Sequence, residues 1–201
     1  MYKRFFKRPL DIVFSTIGLL ITLPFLVPIL FFIFCKTKGN PFFLQKRPGL
    51  NEKIFTLIKL RTMVNIYDCN GILLQDKDRI TRWGNFLRNT SIDEIPQLIN
   101  VLIGDMSLIG PRPLLPEYLQ YYSIYQKHRH TVRPGITGWA QINGRNSITW
   151  QQKFNFDVWY VEHISFKLDV RIFFQTIKKV FKRNDINCSD EITMPMFEGN
   201  N

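Results

Sequence analysis

Histidine and cysteine are both scarce: His128, His130 and His163 join Cys35, Cys69 and Cys188 in a chain of 201 residues. Three cysteines without paired spacing exclude a disulfide framework and indicate a reducing compartment, and the six together form no zinc-type cluster. No G-x-x-x-x-G-K-[ST] stretch is present, and Gly135, Gly138 and Gly144 are mis-spaced for G-x-G-x-x-G, which excludes a P-loop and a Rossmann fingerprint. No repeat of 20 to 50 residues appears, which sets aside solenoids and propellers. Negative charge is short as well: 16 Asp and Glu face 27 Lys and Arg, a net charge of +11. That balance favours an anionic partner, whether nucleic acid, an anionic membrane or a phosphorylated substrate. The length allows one domain with an appendage.

The mean hydropathy of −0.08 averages two unlike regions. Leu10 to Cys35 holds a single charge, Asp11, whereas residues 36–201 carry 38 of the 43 charges. Its 24 uncharged residues, Ile12 to Cys35, would reach about 36 Å as an unbroken helix, enough to cross a bilayer. Pro24 and Pro28 interrupt it, which predicts a break around Leu23-Pro24. Lys3, Arg4, Lys7 and Arg8 precede the segment, and Lys36, Lys38, Lys46 and Arg47 follow it, so both ends favour the cytoplasm. A re-entrant segment is the expectation over a straight span, with Ser15, Thr16 and Thr22 available to freed backbone groups. A cleaved signal peptide lacks its small-residue cleavage site.

The expected fold is α+β: a re-entrant helix-break-helix over residues 1–38, a small, mainly helical domain over 39–184, and a polar tail over 185–201. Phe42 to Leu44 and Lys53 to Leu60 read as strands of a short hairpin around Arg47-Pro48-Gly49. Asp68 to Arg79 reads as a surface loop. Helices are expected over Thr81 to Asn89 and Ile92 to Ile103, the latter with a stripe of Ile92, Ile95, Leu98, Ile99 and Leu102 ending at Gly104. In Asp169 to Arg183, Val170, Phe173, Phe174, Ile177, Val180 and Phe181 form another stripe beside Lys178, Lys179, Lys182 and Arg183. That helix faces either the core or anionic lipid, with the lysines favouring lipid.

Ser91-Ile92-Asp93-Glu94 is the sharpest local feature. It admits two readings: a capping box in which Glu94 reaches back to Ser91, or a carboxylate pair at a helix start, where an ionised Asp93 can attack phosphorus. Arg112, Arg133 and Arg145 lie in Gly- and Pro-rich loops, since residues 104–144 hold nine of the 22 Gly and Pro. With Lys59, Arg61 and Arg88 they suit phosphates, and carboxylates with phosphates suit Mg²⁺. Asp76-Lys77-Asp78 matches a metal-binding D-x-D but lies in the polar loop, with no nucleotide fold before it. The aromatics show no RNA-binding arrangement, and no nucleic-acid partner is expected.

Lys59-Leu60-Arg61-Thr62-Met63, Ser91 to Leu98, Gly104 to Pro113 and Arg133 to Gly138, continuing to Gln141 and Gly144-Arg145, resemble the bacterial sugar transferases. These are monotopic polyprenyl-phosphate phosphoglycosyl transferases in their small single-domain form, and the likeness covers nearly the whole chain. The resemblance implies a re-entrant protein on the cytoplasmic face of the bacterial inner membrane, using Mg²⁺, a UDP-sugar and undecaprenyl phosphate. The sugar it implies is N,N'-diacetylbacillosamine or another N-acetylhexosamine, in the first membrane step of glycan assembly for protein N-glycosylation. Asp93 would attack the β-phosphorus, UMP would leave, and the lipid phosphate would take the phosphosugar. Glu94 would complete the dyad, binding Mg²⁺ with Asp93 or assisting the lipid. Lys59, Arg88, Arg112, Arg133, Gln141 and Arg145 would face phosphates or nucleotide. Where the family has Ser-Pro at the membrane break, this chain has Leu23-Pro24. Two other classes remain open on the residues: a membrane-attached binder of anionic lipid or nucleic acid, and a phosphatase with an aspartyl phosphate.

Overall fold

A computed structural model describes residues 1–144, 148–182 and 196–199. Helix α1 spans Lys7–Thr37 after a π-helical turn at Tyr2–Phe6. Its buried residues are Asp11, Ser15, Leu26 and Ile33. Their spacings of 4, 11 and 7 are all close to whole turns, so they form one stripe. Around them Phe14, Leu20, Ile21, Phe25 and Phe31 are exposed. The helix with its preceding turn is long and apolar enough to cross a membrane.

The expected break at Leu23-Pro24 does not interrupt the helix, which continues through both prolines. Pro24 and Pro28 remove the amides that would bond the carbonyls of Leu20 and Pro24. The Thr22 hydroxyl instead donates to the Gly18 carbonyl and that of Thr16 to the Ile12 carbonyl, while Ser15 Oγ is buried with no partner among the described residues. The expected rescue of freed carbonyls by these hydroxyls is therefore not made. Back-bonding of this kind bends a helix rather than breaking it.

Strands β1 (Phe42–Pro48) and β2 (Ile54–Leu60) form the expected hairpin, antiparallel from Phe42↔Leu60 to Pro48↔Ile54. Arg47 and Pro48 are paired within β1, however, so the turn is not the expected Arg47-Pro48-Gly49 and runs from Gly49 to Lys53 through a 3-10 turn at Leu50–Glu52. Alternation puts Phe55, Leu57 and Lys59 on one face, with Phe55 and Leu57 buried. A helix α2 (Asp76–Arg79) sits in the expected loop, and α3 (Arg82–Asn89) is capped by Thr81, which accepts from the Gly84 amide. The helix expected over Ile92 to Ile103 is two pieces: a 3-10 turn, Ile92–Glu94, and α4, Gln97–Ile103, entered through Pro96 and stopped by Gly104 at φ 103°. Its expected apolar stripe faces α1, where Ile92 and Ile95 pack beside Leu26 and Ile33. The deeply buried face carries Asp93, Gln97, Asn100 and Val101.

Strands β3 (Ser107–Ile109) and β4 (Gly135–Thr137) make a parallel pair that short Gly/Pro-rich segments hid from sequence reading. The approach is tight enough to require glycine: a Cβ on Gly135 would lie 2.0 Å from the Gly110 amide nitrogen, and one on Gly138 2.1 Å from the Gly110 carbonyl oxygen. The connection between the two strands carries α5 (Ile124–Lys127), and after β4 come α6 (Trp139–Ile142), α7 (Trp150–Glu162) and α8 (Phe166–Lys182). On α8 the core face is Leu168, Asp169 and Ile172, whereas Phe173, Phe174 and Ile177 point outward. Val170 and Val180 are half-buried, and the Phe181 side chain and Arg183 lie outside the described residues. Of the expected tail over 185–201, only 196–199 is described; there Phe197 fills an aromatic socket of Tyr118, Tyr122, Trp150 and Phe154.

The two ends of α1 dock on the same globular part. Near its start, Arg8 donates to the Val101 and Leu102 carbonyls, Asp11 accepts from the Leu108 amide, and Lys7 pairs with Asp169 at 2.6 Å. Near its end, Leu26 and Ile33 pack with Leu60 and Leu87.

Candidate active site

The dyad begins with a backbone exception. Ser91 has φ 57°, in the left-handed region, and its side chain makes no capping bond. An N-cap residue needs extended backbone, so the capping box is not formed, and Glu94 is released from that role. Its carboxylate instead takes Lys59 Nζ at 2.8 Å and Arg112 Nη2 at 2.5 Å on Oε1, with Arg112 Nη1 at 3.4 Å on Oε2. Lys59 reaches it because strand alternation turns the residue inward. Asn100 fixes that strand from α4: its side chain accepts from the Ile58 amide and donates to the Thr56 carbonyl. Arg112 comes from the loop after β3.

Asp93 differs from its neighbour. It is 7% exposed, and among the described residues its carboxylate accepts no hydrogen bond. Burial first, and the Glu94 charge second, push its carboxyl up to about 6, against the attraction of Lys59, Arg112 and Arg88. Burial would raise Glu94 too, but Arg112 and Lys59 hold it well below the usual carboxylate range. Adjacent carboxyls thus sit in opposed states, one firmly ionised and paired, the other desolvated and unbonded. Arg88, on α3, donates from Nε to Thr62 Oγ1 at 2.9 Å, and its charge acts on Asp93. Arg47 on β1 is close enough to Arg112 for repulsion to lower it, after burial. Two carboxylates face three cations, Lys59, Arg88 and Arg112, a surplus suited to a diphosphate.

Lys59, Arg88 and Arg112 therefore gather around Asp93 and Glu94. Arg133 does not join them: its Nε donates to the Gly104 carbonyl at the far end of α4, near Arg8. Gln141, on α6 beside Gly138, has both amide atoms buried and, among the described residues, without a hydrogen-bond partner. Arg145 lies outside the described residues. Sequence reading missed Asn100, whose polar side chain on the buried side of α4 was the available signal. It also missed Arg129 and Asp157, a buried ion pair at 2.7 Å behind Arg112, for which neither spacing nor composition gave a sign.

As a metal site, the dyad supplies hard oxygen donors from two adjacent carboxylates, and among the described residues no group of three His, Cys, Asp or Glu surrounds a common point. That fits Mg²⁺, which keeps waters and shares phosphate oxygens, rather than a cation needing an all-protein cage. The unbonded Asp93 is the open donor; Glu94 could contribute only through Oε2, since Oε1 already serves two cations.

A family model for bacterial sugar transferases matches residues 2–183. The sugar transferase EpsL of Bacillus subtilis (strain 168) is 54% identical over 162 residues, 80% of each chain. The UDP-glucose:undecaprenyl-phosphate glucose-1-phosphate transferase of Escherichia coli (strain K12) is 39% identical over 189 residues, 89% of this chain and 40% of that protein. The undecaprenyl-phosphate galactose phosphotransferase of Salmonella typhimurium (strain LT2) is 37% identical over 198 residues, 90% of this chain and 41% of that one. The chain thus spans most of the Bacillus relative and about two fifths of the other two.

Proposed function

The chain belongs to the bacterial sugar transferase family, and from that premise we propose that it moves a sugar-1-phosphate from a UDP-sugar to undecaprenyl phosphate through a covalent intermediate on Asp93. The observation that carries this reading is the Asp93 carboxylate, desolvated and free of hydrogen bonds beside a Glu94 that two cations hold in place. An oxygen of ionised Asp93 attacks the β-phosphorus of the UDP-sugar. The bond from that phosphorus to the oxygen bridging to the α-phosphorus breaks, and the electron pair leaves with UMP. A phosphate oxygen of the lipid then attacks the same phosphorus, the acyl-phosphate bond breaks, and Asp93 returns as carboxylate. Neither step needs a proton from Glu94, whose part is to hold Lys59 and Arg112 against the charge that develops on the leaving phosphate. Mg²⁺, held by Asp93 and Glu94, would offset diphosphate charge when bound.

The proposed placement is supported by α1. A re-entrant segment with a bend near Leu23-Pro24, and the domain on the cytoplasmic face of the inner membrane, agrees with a helix docked at both ends on one globular part and flanked by cations. The outward Phe173, Phe174 and Ile177 of α8 lie beside Lys178, as an interfacial helix on anionic lipid requires. For the donor, the motif resemblance supports UDP-N,N'-diacetylbacillosamine or another UDP-N-acetylhexosamine, feeding protein N-glycosylation, whereas two relatives are named for glucose and galactose.

A UMP-release assay with undecaprenyl phosphate and a panel of UDP-sugars tests the reading. An acetamido-sugar donor should give the highest rate, and Asp93→Asn should give none. Binding of anionic lipid with no UMP from any donor would replace the enzyme with a binder, and inorganic phosphate released from the lipid would indicate a phosphatase.

A further inference from the structure

Arg112 stands between Pro111 and Pro113, so its neighbours have fixed φ and no amides, and the hold on its own carbonyl decides how the residue is set. Arg129 supplies that hold: its Nη2 donates to the Arg112 carbonyl at 2.7 Å. Arg129 is in turn fixed on its other sides. Nε and Nη2 donate to Asp157 Oδ2 at 3.1 and 2.7 Å, and Nη1 donates to the Tyr122 hydroxyl at 3.3 Å. Both Arg129 and Asp157 are almost fully buried, at 2% and 1% exposure. We infer that Arg129, oriented by Asp157, is a positioning residue that sets Arg112 against Glu94 for the transfer.

This rests on the proposed function above. A buried ion pair is weak grounds for stability, since apolar residues of similar volume often replace one without loss. What such residues cannot replace is a donor to the Arg112 carbonyl. Lysine cannot replace it either, because one ammonium lacks the planar fork that spans Asp157 and the carbonyl together.

The test is a mutant cycle on kcat/KM for UMP release by the full-length protein in detergent, pairing Arg129→Met/Asp157→Leu with Arg112→Ala. Thermal melting should place the pair variant near wild type, while its kcat/KM falls about 10- to 100-fold, as expected for a displaced reacting group. In the Arg112→Ala background the same replacement should cost nothing further, and Arg129→Lys should not restore activity. If the pair variant fails to fold, Asp157→Asn, which keeps the shape, carries the same cycle with the same expectation. Wild-type-like kcat/KM in a folded pair variant, or losses that multiply with Arg112→Ala, would overturn the inference alone. Absence of UMP release by the wild-type protein from every UDP-sugar would overturn the proposed function and this inference together.

Discussion

At Asp93 the burial that makes the carboxylate a good nucleophile also works against its ionisation. Its folded-state pKa of about 6 exceeds the ordinary 3.8, so the folded protein binds more protons than the unfolded chain between those values. Stability from this group is fully present below the lower value and declines as pH rises toward 6. At neutral pH the ionised Asp93 therefore destabilises the fold, and Asp93→Asn should raise stability by about 1–3 kcal/mol while removing transfer. Thermal melting at pH 7.5 (roughly the working range) checks this; a lower melting temperature would contradict it. The same shift gives UMP formation a rise with pH through about 6, readable in a single-turnover pH profile, and a profile flat across that range would count against Asp93 as the attacking group.

Among the elements, the β3–β4 pair carries the Arg112 loop on one side and leads into α6 on the other, and three glycines let it close. Gly135→Ala would put a methyl group into the Gly110 backbone, so it should cost at least about 1–3 kcal/mol and lower transfer with it. Thermal melting of that variant would refute the packing argument if unchanged. The hairpin, α3 and the Gly104 stop were legible because strand-like runs beside a Pro-Gly turn, a short helical run and a terminal glycine are local signals; the Thr81 cap emerged only in the structure. The β3–β4 pair was not, since three-residue strands joined across a long connection leave no period to read. Nor could sequence decide between two like signatures: Ser123 with Gln126 and Thr149 with Gln152 do form capping boxes, while Ser91 with Glu94 does not. A positive φ settled the difference, and tertiary cations reassigned Glu94. The dyad, Lys59, Arg88 and Arg112 were readable as motifs; Arg129 and Asp157 were not, because burial made them partners.

For the molecule as a whole, the excess of positive charge divides between the dyad's cations and the basic ends of the apolar helix. Since both ends of α1 rest on one domain, single cysteines placed at Lys3 and Lys38 in an otherwise cysteine-free chain should label from the same side of sealed vesicles. Labelling from opposite sides would remove the re-entrant placement. The covalent step is the centre of the account, and intact-mass analysis of the protein incubated with an accepted UDP-sugar, without lipid acceptor, reads it directly. The account predicts one phosphosugar mass on Asp93 with one UMP released per protein, discharged when undecaprenyl phosphate is added. Full turnover by Asp93→Asn, or turnover by the wild-type protein with no adduct trapped before lipid is added, would contradict it.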